Sequence, residues 1–587
     1  MGLPPLPNLV MVLGRPRAAR PRGLLFLGAG LVSSSLACPE PPRERTPQAE
    51  VRASDPPRPG PVAPVIPVNA VAGVAPVAPV APPALDGYRH HTFYDYHFHG
   101  KKVGYLEARD EPTTYEGQRA ILSVRRTVIT VKRDTSLIKM VSDIESWSTP
   151  EGVPLAFKHL RDEGSAIRTL SGKKVGATFE IETNVAGGKT KSSVPLTRPT
   201  YLNAAYDALT KPAFMPCAPR PAEASPADAG ASPPPRAPKA KCPEVKGRTI
   251  VEEDGSVGGF RVALSGTEEY RGRPLMVLTG TLSVGGTQLT TKEWVDAEGV
   301  PQRIVFVELG AELTVASEAE ALRMEFIDDI FTRGRLSSGV NLPKPSDHLA
   351  ALEVELIATA GAPPNPVADV TQTVRRISAD RVSLRVRRVS APTKSEPLTQ
   401  APSAEGSRWL AKTPYEQLDD PKIIAAAKQA TAGAKTKWDA AKAIIAFVYR
   451  HIEKKSLAQA FSSAVEALDA REGDCTEHAV LASALAKALG IPARIATGLV
   501  YVGGPDGGFG YHAWVEFLIG GAWIPMDPTF NQELADPSHL KFTRGSSDPE
   551  GLREAGVAAA ALFGNIELKV VEFETLRGER KRLAEPK

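Results

Sequence analysis

The stretch REGDCTEHAVLASALAKALGIPARIATG, Arg471 to Gly498, decides how the C-terminal part of this chain is read. Asp474 is a short acceptor placed before an apolar run, and Glu477 follows three positions later. Such a pair forms a capping box, in which each side chain accepts a backbone N–H from the other end of the first turn. The pattern predicts a helix opening at Cys475. Leu481, Leu485 and Leu489 then recur on one face with alanines between them, and Gly490 marks the stop. IPARIATGLVYV leads into a strand. Cys475 therefore falls in the first turn, where unpaired amides and the positive end of the helix dipole favour a thiolate. The alternative is a small buried cysteine, a common core residue.

A nucleophilic thiol needs a base, and the base needs a partner that orients it. YHAWVEFLIGGAWIPMDPTF, Tyr511 to Phe530, offers both. Gly520-Gly521 between two β-rich runs is a two-residue hairpin signal. A tight turn there sets Ile519 opposite Ala522 and Trp514 opposite Asp527. His512 then faces Thr529, on the same side of the sheet as Asp527 and diagonal to it, within reach of a hydrogen bond.

The order Cys475, His512, Asp527 in this context resembles the transglutaminase-like superfamily of papain-type cysteine enzymes. The resemblance runs from about Asp420 to Glu574 and rests on GDCTEHAVLASALAKALGIPARIATGLVY, GYHAWVEFLIGGAWIPMDPTFNQ and ADPSHLKF. Together these are similar to bacterial exported transglutaminase-like domains. The resemblance implies that Cys475 attacks an amide carbonyl of a peptide or protein substrate. It implies too that His512 takes and returns protons and that Asp527 holds the imidazole. A thioester forms, to be resolved by water or by an amine; hydrolysis, as a peptidase or amidase, is the expectation over crosslinking. The Cys475 amide is one expected oxyanion donor. A second donor usually comes from a side chain upstream of the cysteine, where SLAQAFSSAVEALDAREGD offers Gln459. Glu477, His478 and Trp514 are the candidates for the substrate pocket, with Trp514 shielding the acid–base pair. His539 in ADPSH is open between a place near the site and a structural role. Cys475 and His478 also have a zinc spacing, Cys-x-x-His, and together with His512 and Asp527 could form a mixed metal site; the triad explains more residues, so no metal is expected. No calcium-loop pattern is visible, and no cofactor is expected.

The rest of the chain carries less chemistry. It has 587 residues, too many for one core, and a net formal charge of +4. The basic residues are spread, so nucleic acid is not an expected partner. Residues 1–37 read as an export signal: Arg15, Arg17, Arg20 and Arg22 precede the apolar run Leu24 to Val32, and small residues Ser35 and Ala37 precede Cys38. Two cuts fit, an ordinary one and one that leaves Cys38 as a lipidated N-terminus anchored to a membrane. The expected location is the periplasm, or the cell envelope as a lipoprotein. Residues 38–85 are rich in Pro and Ala and favour an extended stalk.

Strand patterns fill residues 86–200 and 248–340. In them ESWSTPEGVPLAF around Trp147 recurs as KEWVDAEGVPQRIVF around Trp294. Two related antiparallel β units are expected, each Trp ending a strand and each Gly-Val-Pro turning into the next. The insert 201–247 is Pro/Ala-rich, and Cys217 and Cys242 flank its most biased part as a disulfide candidate suited to an oxidising compartment. With that bridge formed and Cys38 lipidated, Cys475 is the cysteine left free. Residues 341–410 read as a β connector and linker, 411–578 as the transglutaminase-like unit and 579–587 as a charged tail. Asp420 with Pro421 predicts a helix start, and Trp438, Ala441, Ile445, Val448 and Ile452 form one helical stripe. The fold class is α+β: a papain-type C-terminal domain preceded by a repeated antiparallel β region. A second function class, a non-catalytic binding or assembly protein of the cell envelope using the β repeats, stays beside the enzyme reading.

Overall fold

The two Glu-Gly-Val-Pro segments close two copies of one hairpin in a computed structural model of the chain. Trp147 lies in the strand Ser136–Ser148 and Trp294 in the strand Thr287–Val295, and each pairs antiparallel with a strand opening at the motif proline, Pro154–Asp162 and Pro301–Phe306. Thr149 N–H donates to Val153 O and Gly152 N–H to Thr149 O; Asp296 N–H donates to Val300 O and Gly299 N–H to Asp296 O. The turn glycines share φ of 86° and 82°, a conformation that glycine adopts without steric cost. Both strand pairs carry a bulge just after the Trp.

The structure describes residues 90–583 apart from gaps at 134–135, 163–166, 186–187, 206–212, 218–241, 285–286, 324–334, 344–347, 360–364, 455–461, 505–506 and 563–564. The expected export signal, the lipidation of Cys38 and the stalk lie outside the described residues.

The two β units do not stand apart. His90–Phe98, the first strand of one, pairs with Ala311–Ala316, the last of the other, so both belong to one 15-stranded sheet. One apolar core joins Tyr94, Leu106 and Ile144 with Ile304 and Leu313 across that seam. Alternation explains it: Tyr94 and Tyr96 are buried while Asp95 and His97, alternating with them, are half-exposed. At the other end Thr200–Leu202 runs parallel to Glu244–Val251. Cys217 and Cys242, which flank the most biased part of the insert, are joined by a disulfide with Cα atoms 6.1 Å apart.

The connector and the C-terminal unit also share a sheet. Leu349–Ala358 lies between Arg381–Arg387 and Ile566–Thr575, and the tail adds Arg580–Arg582 at the edge. The divisions expected at residues 410 and 578 therefore fall within one bonded layer. The physical reason is edge satisfaction: Ile566, Leu568 and Val570 bury one face, and the ladder of Leu349–Ala358 covers their backbone.

The remaining C-terminal elements form an α+β unit. Helices Pro421–Ala430, Lys437–His451 and Ala464–Ala470 pack around the cysteine helix, Cys475–Ala488. The first opens on the Asp420 cap with Pro421 inside it, and the second buries Ala441, Ile445 and Val448 as its stripe predicts. The cysteine helix lies in turn on a four-stranded antiparallel sheet, ordered Ala522–Met526, Phe509–Ile519, Ala493–Tyr501, Leu540–Gly545. It is buried nearly all round, so its polar residues need partners. Ser483 and Lys487 find them on Glu416, at 2.7 and 2.6 Å.

Candidate active site

Gly-Asp-Cys makes a helix start with no room to spare. Asp474 accepts from Thr476 N–H at 2.7 Å, and Glu477 Oε2 accepts from Asp474 N–H at 2.8 Å, which completes the capping box. A Cβ on Gly473 would stand 2.4 Å from the Glu477 Cβ, so only glycine lets this carboxylate fold back. Cys475 is the first residue of the helix and is wholly buried. Its sulfur is disulfide-bonded in this structure, and no described cysteine is free. This corrects the expectation of an unbonded Cys475. The physical consequence is that thiolate chemistry there begins from a reduced form.

The histidine strand, Phe509–Ile519, turns at Gly520-Gly521 with φ of 62° and 80°. Positive φ at both central residues is the hairpin turn that matches strand twist. Ile519 pairs with Ala522, as the two-residue turn requires, and the ladder runs to Val515 opposite Met526. One step beyond the last pair, Asp527 leaves the ladder and bridges Gln532 through two backbone hydrogen bonds of 2.9 Å. His512 and Asp527 still meet: His512 Nε2 lies 2.8 Å from Asp527 Oδ2, with both side chains fully buried.

Asp527 is an acceptor at four points. Oδ1 receives Thr529 N–H at 2.7 Å and Phe530 N–H at 3.2 Å. Oδ2 faces His512 Nε2 and also His539 Nε2 at 3.1 Å. Burial favours the neutral carboxyl, but the His512 charge and the hydrogen bonds from both imidazoles outweigh it and hold Asp527 well below the usual carboxylate range. The apolar surroundings are aromatic. Phe530 stacks on the His512 ring at 4.9 Å, Trp514 at 6.1 Å, and Trp514 meets His539 edge-on at 5.1 Å. Trp514 thus packs against both imidazole rings.

The other expected pocket residues are engaged elsewhere. Glu477 Oε1 accepts from Ser462 N–H at 2.8 Å, besides its bond within the cap. Burial, reinforced by the Asp474 charge, pushes its carboxyl up to about 8. His478 is buried with Nδ1 2.6 Å from Asp474 O. A cavity of about 40 Å³ lies beside the start of the cysteine helix; Thr476, Thr497, Tyr511, Ala513 and Thr543 line it, while Glu477, His478 and Trp514 do not. Gln459 lies outside the described residues.

Ligand atoms of His512, Asp527 and His539 lie within 4.8 Å of one another. It shares His512 and Asp527 with the mixed metal set considered from the sequence, and has His539 in place of Cys475 and His478. Both Nε2 atoms already face the same Asp527 oxygen, which accounts for the grouping by hydrogen bonds alone. His539 is the residue whose place the sequence left open, and Asp536 and Gln532 beside it went unnoticed there. The near-repeat of Asp-Pro in MDPTF and ADPSH was the available signal.

Residues 424–528 match the model of the transglutaminase-like superfamily. The C-terminal unit holds a transglutaminase-like domain. The matched span contains Cys475, His512 and Asp527 and stops short of His539. A solved structure named "a Putative Cysteine Protease from Cytophaga hutchinsonii" is similar to the chain at 20% identity, over 40% of this chain and 91% of that one, with a TM-score of 0.26. No curated protein matches the chain. Among the described residues, no helix is long and apolar enough to cross a membrane. The β repeats lie outside the matched span.

Proposed function

We propose that the chain is an exported cysteine enzyme that cleaves peptide or protein amides through a Cys475 thioester. The observation that carries the reading is the buried His512–Asp527 hydrogen bond of 2.8 Å, in the domain whose cysteine opens a capped helix. Asp527, an acceptor only, fixes the proton of His512 on Nε2 and leaves Nδ1 as the basic nitrogen. In the reduced enzyme His512 takes the thiol proton. The Cys475 sulfur attacks the amide carbon, and the C–N bond breaks as His512 returns the proton to the leaving amine. Water then attacks the thioester, giving a proton to His512, and the carboxylic acid leaves as the proton returns to sulfur. The Cys475 N–H, in the first turn of its helix, is the first donor to the oxyanion.

Hydrolysis is favoured over transfer to a protein amine. The cavity beside Thr476 is small and carries the hydroxyls of Thr497 and Thr543, 2.5 Å apart. Such a space has room and polar partners for water, although Cys475, His512 and Asp527 do not line it. Export, and anchoring through a lipidated Cys38 in the form whose Cys475 is reduced, are proposed from the N-terminal sequence.

The test is the pH profile of Cys475 alkylation by iodoacetamide after reduction. Access to a buried sulfur sets the absolute rate, whereas ionisation sets the shape of the profile. The half-maximum is expected well below the ~8.5 of an ordinary thiol, and His512→Ala is expected to return it there. An unchanged profile in His512→Ala would remove the proposal. Capture of a peptide amide as a Cys475 acyl adduct, absent in Cys475→Ser, then identifies the substrate by mass spectrometry.

A further inference from the structure

His539 lies outside the matched domain span and has no part in the three-residue reading, yet it is built into the site. Its side chain is buried, with Nε2 3.1 Å from Asp527 Oδ2 and Nδ1 3.0 Å from the backbone oxygen of Asp536. A carboxylate and a carbonyl oxygen only accept hydrogen bonds. Both ring nitrogens must therefore donate, and a histidine that donates from both nitrogens is an imidazolium.

The surroundings are arranged to keep that charge. The Asp536 carboxylate stands 3.6 Å from Nδ1, itself fixed by Ser538 N–H at 2.8 Å and Gln532 Nε2 at 2.7 Å. Gln532 is in turn pinned to Asp527 through the paired backbone bonds, so the loop from Asp527 to His539 is one closed polar ring. The titratable groups facing His539 among the described residues are Asp527 and Asp536 from this loop and His512 from the histidine strand, its ring centroid 5.5 Å away. Trp514 and Phe530 supply apolar walls.

We propose that His539 is a permanent imidazolium that positions Asp527 and balances its charge, so that His512 is held in place yet gives up its proton within the catalytic cycle. This rests on the reading of Cys475, His512 and Asp527 as one catalytic unit. A lone buried carboxylate against His512 would bind the proton of that imidazole tightly; a second cation on the same oxygen tempers the pull. His539 touches no reacting atom and is a positioning residue. Burial opposes its charge, but the hydrogen bonds to Asp527 and Asp536 overcome this and push its pKa up to about 10.

The experiment compares wild type, His512→Ala and His539→Gln in the reduced full chain, with iodoacetamide as the probe and alkylation of Cys475 followed across pH. With the cation removed, Asp527 favours the imidazolium–thiolate pair more strongly. The half-maximum in His539→Gln is therefore expected to fall by about one pH unit, a tenfold change in thiolate fraction at the low-pH end. A profile that stays put or moves up, while His512→Ala moves it to the ordinary thiol range, overturns the role of His539 alone. A profile unmoved by His512→Ala overturns the triad reading itself. Should His539→Gln not fold, nitrogen NMR of the wild-type ring at pH 8 decides: two N–H protons on His539 support the proposal, and one overturns it.

Discussion

His512 Nε2 stands 2.8 Å from Asp527 Oδ2, although the two residues belong to no common rung of the sheet. The hairpin brings them near, and the break of the ladder after Met526 lets the Asp527 side chain swing to the imidazole. Once out of the ladder, the Asp527 carboxylate gains the Thr529 and Phe530 amides as fixed donors. Its geometry is therefore set by backbone, not by rotamer preference alone.

That relationship makes Asp527→Asn a sharp probe. The amide is nearly isosteric, but its NH₂ donates where the carboxylate accepted, so it holds His512 in the wrong tautomer. Acylation of Cys475 by a peptide amide is expected to fall about 10³–10⁴-fold, measured as adduct formation by mass spectrometry. A loss below tenfold would mean that Asp527 does not orient the base.

The same cluster predicts how stability follows pH. Asp527 titrates well below its unfolded value, so its contribution is present above about pH 4 and is lost as pH falls further. His539 is raised to about 10, so its contribution is full below about 6.5 and is lost as pH rises toward 10. Urea unfolding across this range is expected to show both declines. His539→Gln is expected to remove the loss attributable to the upper window and to reduce, without abolishing, the acid-side loss, because His512 still faces Asp527.

Glu477 gives a third case with the opposite use of a carboxyl. Its folded value of about 8 lies above its unfolded one, so its contribution is full below about pH 4 and fades as pH rises through 8. The stability advantage of wild type over Glu477→Gln should therefore shrink between pH 5 and 9. Glu477→Ala loses the cap bonds themselves and should cost about 1 kcal/mol, read from urea midpoints at pH 5.

Much of this site was legible because its rules are local. The Asp474–Glu477 box, the first-turn place of Cys475, the Gly520-Gly521 turn and the two Trp hairpins each follow from residues a few positions apart. The departures are long-range. Nothing near His90–Phe98 announces that it pairs with Ala311–Ala316, more than two hundred positions away, and merges two β units into one sheet. Ile566–Thr575 likewise reads as a strand of the C-terminal unit, yet its partner Leu349–Ala358 comes from the connector. His539 was visible as a residue, but its role depends on the loop that folds Asp536 and Gln532 around it, and such loops have no periodicity to read. Glu477 and His478 lie beside the nucleophile in sequence, and the helix geometry turns both toward backbone groups.

The hairpin that aligns His512 with Asp527 yields the last prediction. Gly520 and Gly521 both have positive φ, so alanine at either meets the left-handed penalty of about 1 kcal/mol. Their surroundings differ. A Cβ on Gly521 meets nothing within 4 Å, whereas one on Gly520 would stand 2.5 Å from the Lys394 backbone oxygen. That backbone cannot retreat freely: Gly520 N–H donates to Glu396 Oε2 at 3.0 Å, and Ser395 and Glu396 receive the Trp438 and Lys437 N–H groups at 2.9 Å. Gly521→Ala should therefore lose only the backbone cost, about 1 kcal/mol, and keep the low-pH alkylation of Cys475. Gly520→Ala should lose about 3 kcal/mol. It should also raise the alkylation half-maximum toward the ordinary thiol range, because the turn that sets the His512–Asp527 register is forced off its seat. Equal losses in the two variants, measured by urea unfolding, would show that the Lys394 segment yields and that the turn does not fix the pair.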